Sequence, residues 1–195
     1  ENNCTIQNCY NTGTVKGETN VGGVCGFNDV GGTIQNCYNT GAVSGNFDIG
    51  GVCGENNGTI QNCYNTGAVK GEKDVGGVCG YNYSGGTIKN CYNTGTVNGN
   101  GEDIGGVCGL NNTGTITNSY NIGNVSGTDI VGGVCGYNVD GTFTNCYYNT
   151  DFCTVGGING SDVAGSATGA VTPIASNAAD EGDVVSALQA FTTNE

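Results

Sequence analysis

A single pattern of apolar and polar residues recurs along most of the chain. Blocks of the types TIQNCYNTGAV and VGGVCG alternate through residues 5–141, and a sixth copy begins at Thr142. Cys9 and Cys146 hold the same position five copies apart, so the mean period is about 27 residues. Self-similarity at a period of roughly 20–50 residues is typical of solenoids and other stacked repeats.

The copies differ in length at two places only, between the VxG and VGG segments and between CGxN and the next GT. Segments that stack must keep their length, whereas turns accept insertions. The segments TIQNCY, TGTV and VGGVCG are rich in β-branched residues and are separated by Gly, Asn and Asp, which favour turns. The sequence therefore predicts an all-β fold over residues 1–160: a parallel β-solenoid, right- or left-handed, with five to six coils and three strands per coil.

Apolar residues at equivalent positions of the copies are expected to form columns in a narrow core. The four columns begin at Ile6, Val15, Val21 and Val24. Strict alternation places Ile6 and Cys9 on opposite faces, whereas a left-handed corner at Asn8 turns both inward. The same two arrangements are possible for Val24 and Cys25 after the Gly22–Gly23 pair. The sequence does not decide between the arrangements for either pair.

The two ends of the chain depart from the repeat in different ways. Residues 161–195 are rich in Ala and hold the only Pro, and the DVVSALQAF stretch has apolar residues at helical spacing behind Asp183, a good N-cap. We predict a small C-terminal cap in this range with a short helix near 183–191. The first residues, ENNCTIQNCY, match ENNGTIQNCY at 55–64, so we expect an open N-terminal edge that stacks axially on adjacent repeats or on a second copy.

Most of the 12 cysteines fall in two columns, the NCY and VCG positions. Their members are Cys9, Cys37, Cys63, Cys91 and Cys146 in the first and Cys25, Cys53, Cys79, Cys108 and Cys135 in the second. A secreted chain with a thin core gains stability from disulfides, so we predict one bridge per coil across the core. The pairing runs either forward, as Cys9–Cys25, or backward, as Cys25–Cys37.

The alternative for these columns is a stack of buried free thiols, because Cys packs as a small hydrophobe. Ser119, which replaces one Cys of the NCY column, is consistent with this alternative. Cys4 and Cys153 lie near the two ends of the predicted rod, where they would close local bridges or link subunits.

Charge and composition exclude several classes of function. The chain has 195 residues, a net charge of −13, and neither His nor Arg. The absence of His removes Ser-His and Cys-His nucleophile pairs and His-ligated metals. A chain this acidic does not neutralise a phosphate backbone, which argues against nucleic acid as a partner. No run of 18 apolar residues is present, so we expect no membrane insertion.

An acidic column precedes the VGG segments, formed by Asp48, Asp74, Asp103 and Asp129. Like charges at coil spacing repel, and Ca²⁺ would relieve the repulsion. In the first copy Asn20 stands at the Asp position, which weakens the case for a calcium site. We therefore expect an exposed acidic turn edge, with bound calcium as the weaker alternative. No other cofactor is expected. The pairs Glu72–Asp74 and Glu102–Asp103 resemble the paired carboxylates of glycosidases, but they lie on variable turns without a basic partner, so no enzyme is expected.

Aromatic, amide and hydroxyl residues also form columns. Tyr10, Tyr38, Tyr64, Tyr92, Tyr120 and Tyr147 are expected to stack on each other, and the alternative is a binding face for sugars or a partner protein. The Asn columns that begin at Asn8 and Asn11 are expected to form axial amide ladders. A single Thr column, beginning at Thr5, is too narrow for the paired Thr arrays of ice-binding solenoids.

The units GTIQNCYNTGAVSG and VGGVCGxN resemble GLUG repeats over roughly residues 1–160, with GGVCG where the family usually has GGLVG. The resemblance implies a β-solenoid in an extracellular or cell-surface setting, since the family occurs in bacterial surface proteins, including adhesins and some IgA-cleaving proteases, without being their catalytic domain. We therefore expect a non-catalytic structural protein, a disulfide-stapled stalk or adhesin segment or a head-to-tail filament subunit. The alternative is an adhesin module that binds a glycan or host protein through its Tyr and Asn faces.

Overall fold

The computed structural model describes residues 1–153, 156–158 and 171–174, and these form a parallel β-solenoid of about six coils. The first coil contains β1 (Thr5–Gln7), β2 (Tyr10–Asn11), β3 (Val15–Lys16), β4 (Thr19–Gly22) and β5 (Cys25–Asn28). The second contains β6 (Thr33–Gln35), β7 (Tyr38–Asn39), β8 (Val43–Ser44), β9 (Phe47–Gly50) and β10 (Cys53–Asn56). The third contains β11 (Thr59–Gln61), β12 (Tyr64–Asn65), β13 (Val69–Gly71), β14 (Lys73–Gly76) and β15 (Cys79–Tyr83).

The remaining coils repeat this order. The fourth contains β16 (Thr87–Lys89), β17 (Tyr92–Asn93), β18 (Val97–Gly99), β19 (Ile104–Gly105) and β20 (Cys108–Asn112). The fifth contains β21 (Thr115–Thr117), β22 (Tyr120–Asn121), β23 (Val125–Ser126), β24 (Val131–Gly132) and β25 (Cys135–Val139). The sixth contains β26 (Thr142–Thr144) and β27 (Cys146–Asn149), and β28 (Val171–Ile174) pairs with β27.

Each strand pairs in parallel and in register with the equivalent strand of the next coil. The result is five sheets, of which β1-β6-β11-β16-β21-β26 and β2-β7-β12-β17-β22-β27-β28 are the two longest. Parallel neighbours lie about 4.8 Å apart, so six coils make a solenoid about 25–30 Å long. The solenoid predicted from the repeat is confirmed.

The predicted count of three strands per coil is wrong, because two of the predicted strands are each broken by a corner. Asn8 has a φ of 55° and separates β1 from β2, and every equivalent Asn has the same left-handed conformation. Gly23 and Val24 separate β5 from β4, which ends at Gly22, without a left-handed residue. A side chain on Gly22 would overlap the carbonyl oxygen of Cys25, so only Gly fits where the chain turns this tightly.

The corners also settle which side chains enter the core. Ile34 and Cys37 are both fully buried, because the left-handed corner at Asn36 turns the chain between them. Val52 and Cys53 are likewise both buried beyond their glycine corner. The core therefore contains continuous columns of Ile, Val and Cys that run from coil to coil.

Buried amide ladders run parallel to these apolar columns. In the predicted column of Asn11, each amide nitrogen donates to the amide oxygen of the next coil at 2.7–2.8 Å, through to Asn121. A second buried ladder, from Asn28 to Asn138, has donor–acceptor distances of 2.7–2.8 Å and was not singled out from the sequence. The column of Asn8 forms a third, more exposed ladder from Asn36 onwards.

The predicted helix near 183–191 lies outside the described residues. Within the part of the chain that the structure describes, every regular element is a strand, and none is a helix long and apolar enough to cross a membrane. At the end of the solenoid, β28 covers the edge of β27, and Ile158 forms a bridge with Cys135.

Candidate binding faces of the solenoid

The tyrosine column forms one continuous ladder of rings along the side of the solenoid. Tyr10, Tyr38, Tyr64, Tyr92 and Tyr120 stack with ring centroids 4.9–5.2 Å apart and planes within 7° of parallel. Tyr147 continues the register of this column on β27. The rings point outward because each begins the short strand behind an Asn corner, and in the inner coils it is opposite in direction to the buried Cys or Ser that precedes it.

Stacking determines which parts of the tyrosine rings a ligand can reach. Each inner ring covers the faces of its neighbours, so only ring edges and hydroxyl groups face solvent. Tyr10 is different, because it is the first ring of the stack and is 64% exposed. Burial, followed by the proximity of Tyr92, raises the pKa of Tyr120 at the inner end of the stack.

An acidic ladder lies within β4, β9 and β14 and directly before β19. Asn20, Asp48, Asp74 and Asp103 have φ values of 52–62° and occupy equivalent positions. Asp and Asn tolerate this left-handed geometry better than most residues, which explains their place in each coil. Asp74 and Asp103 are only 7% and 4% exposed, so the predicted exposed acidic edge is wrong for these two carboxyl groups.

The electrostatics of this ladder favour protonated carboxyl groups. The Oδ1 atoms of Asp74 and Asp103 are buried without a hydrogen-bond partner. Burial, together with the neighbouring Asp103 and Asp48, raises the pKa of Asp74 to about 8. Burial also raises the pKa values of Asp48 and Asp103. A proton on one carboxyl group lets it donate to the next, which relieves the repulsion that the sequence pattern indicated.

Charged neighbours surround the ladder on its outer side. Lys73 Nζ lies 3.1 Å from Glu102 Oε2 and 4.0 Å from Asp103 Oδ2. The amide of Asn20 donates to Glu55 Oε2 at 2.9 Å. The lone lysine therefore meets more carboxyl groups than it can neutralise.

Asp129 does not belong to this ladder. Ile104 pairs with Val131, which places Ile130, with a φ of 42°, at the position of Asp103. Asp129 lies one residue earlier and is exposed, because the turn before VGG is shifted by one residue in this coil. Among the described residues, no three side chains of Cys, Asp or Glu are arranged to hold a metal ion.

In each carboxylate pair that resembles a glycosidase site, one member is on the surface and the other is buried. Glu72 is exposed, whereas Asp74 is buried in the acidic ladder. Glu102 is engaged with Lys73, and Asp103 is buried beside it. Each pair thus consists of one surface group and one ladder member.

Part of the solenoid matches a known repeat family. Residues 17–44, 45–70 and 71–98 each match the model of the GLUG motif. Residues 17–98 carry three GLUG repeats. No curated protein matches the chain in sequence. The GLUG solenoid is similar in fold to the crystal structure, at 1.30 Å, of a "putative immunoglobulin A1 protease" from Bacteroides ovatus, with a TM-score of 0.68, 24% identity, and coverage of 95% of this chain and 70% of that chain.

The cysteines of the GLUG coils stack by column instead of pairing across the core. Every one of the twelve is a free thiol, and the predicted bridges, such as Cys9–Cys25 or Cys25–Cys37, are not formed in the structure. In-register pairing places Cys53 between Cys25 and Cys79 of the neighbouring coils. This is the arrangement of the alternative prediction, and it follows because all members of a column project into the core at the same point of each coil.

The ends of the cysteine columns differ from their centres. Cys4 and Cys9 are exposed, whereas Cys153 is buried. Burial raises the pKa of Cys79 to about 11 and that of Cys146 to about 12, so the central thiols are protonated and poor nucleophiles.

One surface feature of the GLUG coils was missed from the sequence. Lys16 and Lys70 line the same cleft on the turn after β3, β8 and β13. The available signal was the recurrence of VKG at 15–17 and 69–71, which places the two lysines at one position of the coil.

Proposed function

We propose that this chain is a non-catalytic structural segment of an extracellular surface protein, in which the GLUG solenoid acts as a stiff spacer. The observation that supports this role is the continuity of the hydrogen-bonded ladders. Five parallel sheets and two buried amide ladders run in register through consecutive coils. In such a stack every coil contacts only its neighbours, so rigidity extends along the axis.

The edge strands of the first coil favour axial assembly with further coils. Among the described residues, β1 to β4 pair on one side only, and at the outer edge of β5 a bridge joins Asn2 to Asn28. A further GLUG coil would continue the sheets, the ring stack and the amide ladders without a change of register. The proposed partner is therefore an adjacent repeat of a longer chain or a second copy stacked head to tail.

Electron microscopy and sedimentation over a concentration series test the self-assembling form of this proposal. Fibres with a repeat of about one solenoid length support a filament subunit, whereas discrete particles at all concentrations support a stalk segment. We expect Tyr10→Lys to abolish fibres, because it places a charge on the exposed ring at the open edge. Thr117→Lys is the matched control, since it adds the same charge on a side face where Lys89 already lies in register.

A second candidate function is adhesion through the tyrosine ladder. The observation that favours it is the regular row of hydroxyl groups and ring edges at 4.9–5.2 Å along the surface. The covered ring faces weigh against it, because sugars bind aromatic residues mainly through their faces. A glycan array probed with the wild type and with Tyr64→Phe separates the two roles: a structural ladder tolerates loss of the hydroxyl, whereas a binding face loses affinity.

A further inference from the structure

A cleft of about 320 Å³ lies on the side of the first four coils, parallel to the solenoid axis. Its floor is a row of glycines, Gly17, Gly45 and Gly71. A side chain on Gly45 would point inward and meet Ile49, so the glycines are required by the core and leave the outer surface open. The volume is at the lower end of the range of about 300–1,000 Å³ that is usual for ligand sites.

Polar side chains form the two walls of this cleft. One wall consists of Lys16, Ser44 and Lys70, which the in-register pairing of β3, β8 and β13 places in a single row. The other wall consists of Asn46, Glu72 and Asn100. Both walls therefore repeat hydrogen-bonding groups at the coil spacing of about 4.8 Å along the axis.

The two lysines are the cations that line this cleft. Of the chain's four cations, Lys73 is engaged with Glu102 at 3.1 Å. Neither Lys16 nor Lys70 forms an ion pair with any residue in the described part of the chain. They stand two coils apart, a separation of about 10 Å at their backbones.

We propose that this cleft binds an acidic polysaccharide that lies extended along the solenoid axis. A pyranose unit of an extended chain advances by nearly one coil height, so a disaccharide with one carboxylate matches the two coils between Lys16 and Lys70. Ser44, Asn46 and Asn100 supply donors and acceptors for the intervening hydroxyl and amide groups. The site does not depend on the proposed spacer role, since it lies on a side face and not on the open edge.

Opposing charges set the strength of this interaction. Glu72 stands on the facing wall and repels a carboxylate, and the chain carries a net charge of −13. At physiological salt the screening length is about 8 Å, so distant acids are largely screened and the lysines in the cleft dominate locally. Exposed lysine–carboxylate pairs are individually weak, which predicts weak and salt-sensitive binding to one site and higher avidity on a stacked array.

The experiment uses calorimetry on the full chain with a hyaluronan oligosaccharide, in which glucuronate alternates with N-acetylglucosamine. The neutral control is a chitin oligosaccharide of equal length. We expect binding of hyaluronan at low ionic strength, loss of binding at high ionic strength, and none for chitin. Equal binding of both sugars, or of neither, overturns the proposal.

Variants locate the site on the surface. We expect Lys16→Gln and Lys70→Gln each to weaken binding about two- to fivefold, and the double variant to abolish it. Glu72→Gln is expected to strengthen binding, because it removes the opposing charge and keeps the shape. Lys89→Gln, on another face, is the control and should bind as the wild type does. Unchanged binding by the double variant, or loss of binding in Lys89→Gln, refutes the assignment, and unchanged melting temperatures show that each variant is folded.

Discussion

Replacing Asp74 with Asn tests the physical account of the acidic ladder. Asn has the same shape as Asp and tolerates the left-handed φ of 53° at this position. Asn20 already occupies the equivalent position in the first coil. The substitution therefore removes a titratable group between Asp48 and Asp103 and leaves the backbone and the packing as they are.

The size of the expected change in stability follows from the raised pKa of Asp74. This pKa is about 8 in the folded chain, against 3.8 for an ordinary Asp. The folded state binds the proton more tightly than the unfolded state, so stability is greatest below about pH 4 and falls as pH rises towards 8. The slope for one group is at most about 1.4 kcal/mol per pH unit. Between pH 5 and pH 7 the wild type should therefore lose up to about 3 kcal/mol, and Asp74→Asn should remove this loss.

The charged neighbours of the ladder modify the size of this effect but not its sign. Lys73 lowers the pKa of Asp74, whereas Asp48 and Asp103 raise it. Glu55 raises the pKa of Asp48, and Glu102 and Asp129 raise that of Asp103. Carboxyl groups outnumber the single lysine, so deprotonation destabilises the fold throughout this pH range.

Urea unfolding in the presence of reductant, at pH 5, 6, 7 and 8, measures the slope directly. Asn20→Asp is the matched variant with the opposite change. It adds a carboxyl group beside Glu55 and extends the acidic ladder by one coil. We expect its stability to fall more steeply with pH than that of the wild type. The reasoning is refuted if Asp74→Asn keeps the wild-type slope, or if wild-type stability rises from pH 5 to pH 8.

Three further outcomes are expected. Alkylation of the native chain should modify the exposed Cys4 and Cys9 first, with the other thiols reacting only in denaturant; an intact mass that reveals disulfides would contradict the free-thiol arrangement. Asn65→Ala should lower the free energy of unfolding by about 2–4 kcal/mol, because it removes both inter-coil amide bonds and the side-chain partner of the Gly67 backbone, whereas the exposed Thr66→Ala should cost about 0.5 kcal/mol or less in the same titration. Gly76→Ala should prevent folding, since its side chain would overlap a backbone carbonyl, and a cooperative melt in circular dichroism would disprove this.

The repeat pattern alone was sufficient for the architecture and for much of the core. Equivalent residues of every copy must occupy equivalent positions, and parallel stacking is the arrangement that brings them together in columns. The buried Ile column and the stacked Tyr column follow directly from the period, as does the amide ladder of Asn11. An Asn corner was foreseeable as a possibility, because Asn is among the few residues that adopt left-handed geometry readily.

Tertiary structure decided the features that depend on direction and neighbours. Spacing along the chain could not show that Cys53 stacks on Cys25 and Cys79 instead of bridging within its coil, because the direction of each side chain is set by corners whose angles the sequence does not state. The exclusion of Asp129 from the acidic ladder likewise required the register of Ile130. The cleft of Lys16 exists only where four coils stack, since its walls come from residues that are adjacent in the solenoid but remote in the chain. A period specifies which residues share a column, and only the folded coil determines which columns face one another.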